Sequence, residues 1–163
     1  MKKKSIIISI KGFKLTSNEK KLFKNEKPWG LILFKRNIKD FNQLKNLIFD
    51  IKKNTQDKYF PILIDEEGGT VSRLSQVIDN KPYSQKFFGD LFKKNPKLCK
   101  SLYKNYIFSL SSVFKTMGIN INTVPVLDIL RKKTSKIIGT RSYSENTKII
   151  KELGDICIKS YNL

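Results

Sequence analysis

Two short apolar runs, Gly30–Phe34 (GLILF) and Phe60–Ile64 (FPILI), contain no polar residue on either face. A strand with one solvated face alternates polar and apolar residues. One that does not is covered on both sides, as in a parallel sheet packed between helices. Helical signals separate and follow these runs. Ile6–Ile10 is a further apolar strand, and Thr16 with Glu19 three residues later is a capping box opening a short helix toward Asn25. Asp40 and Gln43 cap a second helix whose Phe41, Leu44, Leu47, Ile48 and Ile51 share one side. Asn95-Pro96 starts a third, with Leu98, Leu102, Tyr106, Leu110, Val113 and Met117 at helical spacing up to a Gly118 cap. Ile119–Val126 reads as the fourth strand. A last helix from about Asn146 carries Ile149, Ile150, Leu153, Ile156 and Cys157 on its inner side.

Strands alternating with helices imply an α/β fold with right-handed crossovers. Two architectures compete, an open doubly wound sheet and part of a (β/α)8 TIM-type barrel. The open sheet is weakened because neither GxGxxG nor GxxxxGK[ST] occurs, and no cofactor is expected. Four βα units would be half of an eight-stranded barrel, in which all 163 residues would form one half-barrel domain.

The third strand stops at three consecutive carboxylates, Asp65, Glu66 and Glu67, followed by Gly68, Gly69 and, further on, Arg73. Polar groups just past the C-terminal end of a parallel strand sit where α/β sites form. The irregular stretch from about Glu66 to Asp90 is long for a compact domain, which favours a functional loop. Asp65 and Arg73 read either as a binding pair or as an ion pair tying the loop to the sheet. A divalent cation on the three carboxylates is disfavoured, because neighbouring residues of a continuing strand face opposite ways.

The formal charge of +19, from 33 basic and 14 acidic residues, invites a nucleic-acid or membrane reading. Arginine is confined to Arg36, Arg73, Arg131 and Arg141, and the lysines are spread without a long basic run, so neither partner is expected. Cys99 and Cys157 fall at apolar helical positions, consistent with buried thiols and a reducing, cytoplasmic location. No stretch approaches the roughly 20 apolar residues of a spanning helix.

Four strings occur in order: GLILFKRN at 30–37, ILIDEEGGTVSRL at 62–74, VPVLDI at 124–129 and IGTRSY at 138–143. Together they resemble the N-terminal half of glycoside hydrolase family 3, nearest its bacterial cytoplasmic β-N-acetylglucosaminidases that trim cell-wall fragments. The resemblance implies hydrolysis of terminal non-reducing N-acetylglucosamine by a retaining mechanism. It implies that Asp65 accepts hydrogen bonds from sugar hydroxyls, and that Arg73 and Arg141 contact those hydroxyls or hold the binding carboxylate. Glu67, Gly68 and Gly69 then form a structural core of the loop, and Asp128 organises a second loop. A β-glucosidase-type member and a non-catalytic carbohydrate-binding homologue are the alternatives.

No catalytic residue is assigned. The family's nucleophilic aspartate and its loop histidine follow positions that this sequence does not reach, and the chain has no histidine. Thr70 also replaces the basic residue usual after the two glycines. The 163 residues alone are therefore expected to be inactive, and to need a missing C-terminal half or a complementing chain.

Overall fold

Capping chemistry marks where each helix begins. In the computed structural model, which describes residues 3–161, Thr16 accepts from the Glu19 amide while the Glu19 carboxylate accepts from the Thr16 amide, and α1 runs Ser17–Glu26. Asp40 accepts from the Gln43 amide at 2.8 Å and opens α2, Phe41–Thr55. Asn95 caps α4, Pro96–Met117, which ends on Gly118 at φ 90°. Asn146 caps α5, Thr147–Ser160.

Between the helices lie β1 (Lys4–Ile8), β2 (Pro28–Leu33), β3 (Ile62–Ile64) and β4 (Ile121–Asn122), all parallel and paired in chain order. This is the expected α/β half barrel. Leu31, Leu33, Ile62 and Ile64 are fully buried and pack with Leu44, Ile48 and Ile51 of α2 and Phe114 of α4. Phe23 of α1 meets Phe60 edge-on, ring centroids 5.9 Å apart, and closes the lower end of that core. A second cluster joins Phe88, Cys99, Tyr103, Ile107, Tyr143, Leu153 and Cys157. Both cysteines are free and buried.

Several boundaries differ from the sequence reading. The fourth strand shrinks to two residues as asparagine side chains take two of the rungs at its ends, beside backbone bonds from Asn120 and Thr123 to Ile62 and Ile64. Asn120 accepts from the Ile62 amide and donates to the Phe60 carbonyl, and Asn122 does the same at the amide and carbonyl of Glu66. The stretch expected to stay irregular to Asp90 contains a further helix, α3 (Gln85–Lys94), capped by Ser84. On α4 the buried stripe is Cys99, Tyr103, Ile107, Leu110, Ser111, Phe114 and Met117, so Leu110 and Met117 of the predicted face are buried while Tyr106 and Val113 are half-buried. Leu98 and Leu102 are exposed.

The buried Asn37 explains the FKRN string after β2. Its amide donates to the carbonyls of Ile10 and Gly12 at 3.0 and 3.1 Å, while its carbonyl accepts from the Phe34 amide. This ties the segment after β1 to the end of β2, at the same end of the sheet as the loop that follows β3.

Candidate functional site

The loop after β3 is assembled by its carboxylates, and each does something different. Asp65, at the strand end, keeps a side chain 24% exposed. One of its oxygens accepts from the Thr123 hydroxyl just beyond β4, and the other lies 3.4 Å from Arg73 Nη2. A carboxylate has about four acceptor positions, so two contacts leave it able to take further donors.

Glu66 points inward and is 1% exposed. It accepts from the amides of Arg73 and Leu74 at 2.7 and 2.8 Å and from the Asn80 side chain at 3.3 Å. Burial pushes its pKa above the usual carboxylate range, although those donors pull the other way. Glu66 therefore folds the loop back on itself and holds Arg73 at the height of Asp65. In the sequence Glu66 stands out only as a candidate cation ligand beside Asp65 and Glu67. A buried acid that satisfies amides seven and eight residues ahead leaves no local sequence signal.

Glu67 receives Arg141 in a two-pronged pair, both nitrogen–oxygen distances 2.8 Å, with the Glu67 side chain only 5% exposed. The hydrogen bonds to Glu67 raise the Arg141 pKa further. This anchors the 138–143 segment to the loop after β3. The expectation for Arg141 left two partners open, sugar hydroxyls or the binding carboxylate. Here Arg141 grips Glu67, and Asp65 is held by Arg73 and Thr123.

Gly68 and Gly69 turn the chain at φ 77° and 63°. A Cβ on Gly68 would lie 2.3 Å from the Tyr83 carbonyl oxygen, so both the turn and the close approach exclude a side chain there. The turn closes when the Glu67 amide donates to the Val71 carbonyl at 2.9 Å.

Asp128 orders its loop through its backbone rather than its carboxylate. Its carbonyl accepts from the buried Ser142 hydroxyl at 2.6 Å, while the side chain is exposed near Arg141. Behind it, Tyr103 and Tyr143 share a buried hydroxyl contact of 2.5 Å, and Gly89 of α3 lies flat on the Tyr143 carbonyl. Asp65, Arg73, Glu67 and Arg141 thus converge at one end of the sheet. Thr123 and Glu66 are the members that motif reading missed.

The family described as the glycosyl hydrolase family 3 N-terminal domain matches residues 2–162. Among curated relatives, a β-hexosaminidase of Thioalkalivibrio sulfidiphilus is 26% identical over 148 residues, covering 91% of this chain and 42% of its own. One of Mannheimia succiniciproducens is 31% identical over 144 residues, covering 88% and 40%. NagZ from Neisseria gonorrhoeae, solved in complex with N-trifluoroacetyl-D-glucosamine, superposes with a TM-score of 0.85 at 26% identity. That match covers 98% of this chain and 47% of NagZ. The chain spans less than half the length of these relatives.

Proposed function

We propose that this chain, which belongs to the glycosyl hydrolase family 3 N-terminal domain family, forms the sugar-binding half of a β-N-acetylhexosaminidase-type glycosidase. The observation that carries the reading is Asp65. It is a partly open carboxylate at the C-terminal end of a parallel strand, steadied by Thr123 and Arg73, with acceptor positions to spare. Such a group takes two sugar hydroxyls in charge-assisted bonds and orients the ring. Arg73 donates to the same hydroxyls. Glu66, Glu67 and Arg141 keep the loop rigid, so the ring is held without reordering the protein.

The chemistry itself follows a retaining course, with a carboxylate nucleophile and a separate group moving the proton. With no histidine in the sequence, a histidine acid/base comes from the other half of the barrel. The open edges of β1 and β4 are where that half joins. Ile6 and Ile7 of β1, 50% and 44% exposed, are apolar surface for it to cover. The substrate is a saccharide ending in N-acetylglucosamine, and cell-wall fragments recycled in the cytoplasm are the source. The free, buried Cys99 and Cys157 support a reducing compartment.

An aryl N-acetylglucosaminide tests the division of labour. Residues 1–163 alone are expected to leave it intact, and turnover by the purified chain would show that the catalytic groups lie within it.

A further inference from the structure

Arg73 faces two ways. Besides approaching Asp65, it lines a cleft of about 550 Å³ whose wall also includes Lys35, Thr70, Ser75, Lys81 and Ser84, with no acidic side chain. The three cations come from separate segments: the turn after β2, the loop after β3 and the approach to α3. Among the described residues neither lysine has an ion-pair partner, and Arg73 has one long contact to Asp65. Three positive charges facing one hollow repel each other unless an anion enters. On residues of the same wall, Arg73 Nε and Ser75 Oγ are buried and, among the described residues, have no hydrogen-bond partner, an arrangement that native proteins rarely leave unused.

We propose that this cleft receives the phosphate of a phosphorylated amino sugar whose ring hydroxyls are held by Asp65; the proposal rests on the sugar-binding reading above. A phosphate monoester carries close to two negative charges at neutral pH and presents three acceptor oxygens. That matches three cations, one of them already shared with a carboxylate, better than a singly charged carboxylate does. Arg73 borders the cleft and also contacts Asp65, so one side chain links the anion site to the carboxylate that holds the ring. A phosphate on the exocyclic 6-position fits, since that arm extends away from the anomeric carbon and leaves the ring free to engage Asp65. Hydroxyls of Thr70 and Ser84 supply neutral donors to oxygens that the lysines do not reach.

The test titrates N-acetylglucosamine 6-phosphate, N-acetylglucosamine and inorganic phosphate separately into the full chain, its Lys35→Met and Lys81→Met variants, and Lys81→Arg. Both lysines are exposed, so thermal melts of the variants are expected to match the parent. The phosphorylated sugar is expected to bind about tenfold or more tighter than the neutral one, and tighter than phosphate alone. Each methionine variant is expected to lose about threefold to tenfold for the phosphosugar at low salt and nothing for the neutral sugar, with Lys81→Arg restoring binding. Equal affinity for phosphorylated and neutral sugar overturns the cleft assignment and leaves the sugar site standing. Equal affinity for phosphosugar and phosphate, with no response to the neutral sugar, overturns the shared site and the sugar reading with it. Silence from all three ligands overturns both.

Discussion

Removing Arg141 should damage this protein far more than removing its partner's charge. Arg141 makes two 2.8 Å contacts to Glu67, whose side chain is 5% exposed, while the arginine itself is 25% exposed. Arg141→Met strands a buried carboxylate. Stranding one member of a fully buried pair costs about 3–5 kcal/mol, and the open side of Arg141 lets water screen part of that, which leaves about 2–3 kcal/mol. For a chain of this size each kcal/mol moves the melting temperature by about 2–4 °C, so a fall of about 4–12 °C is expected. Glu67→Gln keeps an acceptor and lets the guanidinium swing to water, at a cost of about 1 kcal/mol. The double variant should recover part of the Arg141→Met loss, giving a coupling of about 1–2 kcal/mol in urea-unfolding midpoints. A coupling below about 0.5 kcal/mol would mean that the pair does not hold the 138–143 segment to the loop after β3.

Other expectations follow from single contacts. Burial raises the Glu66 pKa, so between its unfolded value of 4.5 and the higher folded one the native state binds more protons. From this group stability should fall as pH rises through that window, and Glu66→Gln should flatten the slope measured by urea unfolding across it. Below that window the depressed pKa values of Glu19 and Asp57 act oppositely, and stability should drop as the pH falls further. Gly89→Ala would drive a Cβ to 1.8 Å from the Tyr143 carbonyl oxygen. It should cost several times the ~1 kcal/mol of Thr16→Ala, which only removes a helix cap, and thermal melts of the two variants give the comparison.

The parts of this fold that were readable in the sequence are those governed by local chemistry. Thr16, Asp40, Asn95 and Asn146 act on amides two or three residues away, so the helix starts they set are visible in a short string. The unbroken apolar runs of β2 and β3 report strands covered on both faces, unlike the exposed edge strand β1. What escaped depends on partners far along the chain. The Asn120 and Asn122 amides take rungs to a strand some 60 residues earlier, at the ends of a β4 shorter than its apolar pattern. Helix α3 starts on an isolated Ser84 inside a polar, aromatic stretch, and its Phe88 is buried only because Tyr103 and Tyr143 are there to receive it.

The site divides in the same way. Asp65, Glu67, Arg73 and Arg141 stood out as motif residues, and the structure gathers them at one end of the sheet. Their pairing was not readable, because Arg141 reaches Glu67 across 74 positions. Thr123 belongs to no motif and emerges only when the loops are folded.

Whether Asp65 holds a sugar ring is decided by calorimetric titration with N-acetylglucosamine, wild type against Asp65→Asn. The wild type is expected to bind saturably and the variant to lose about tenfold or more, because the amide keeps one acceptor oxygen and loses the charge. Binding that is absent in the wild type, or unchanged by Asp65→Asn, would contradict that role for Asp65.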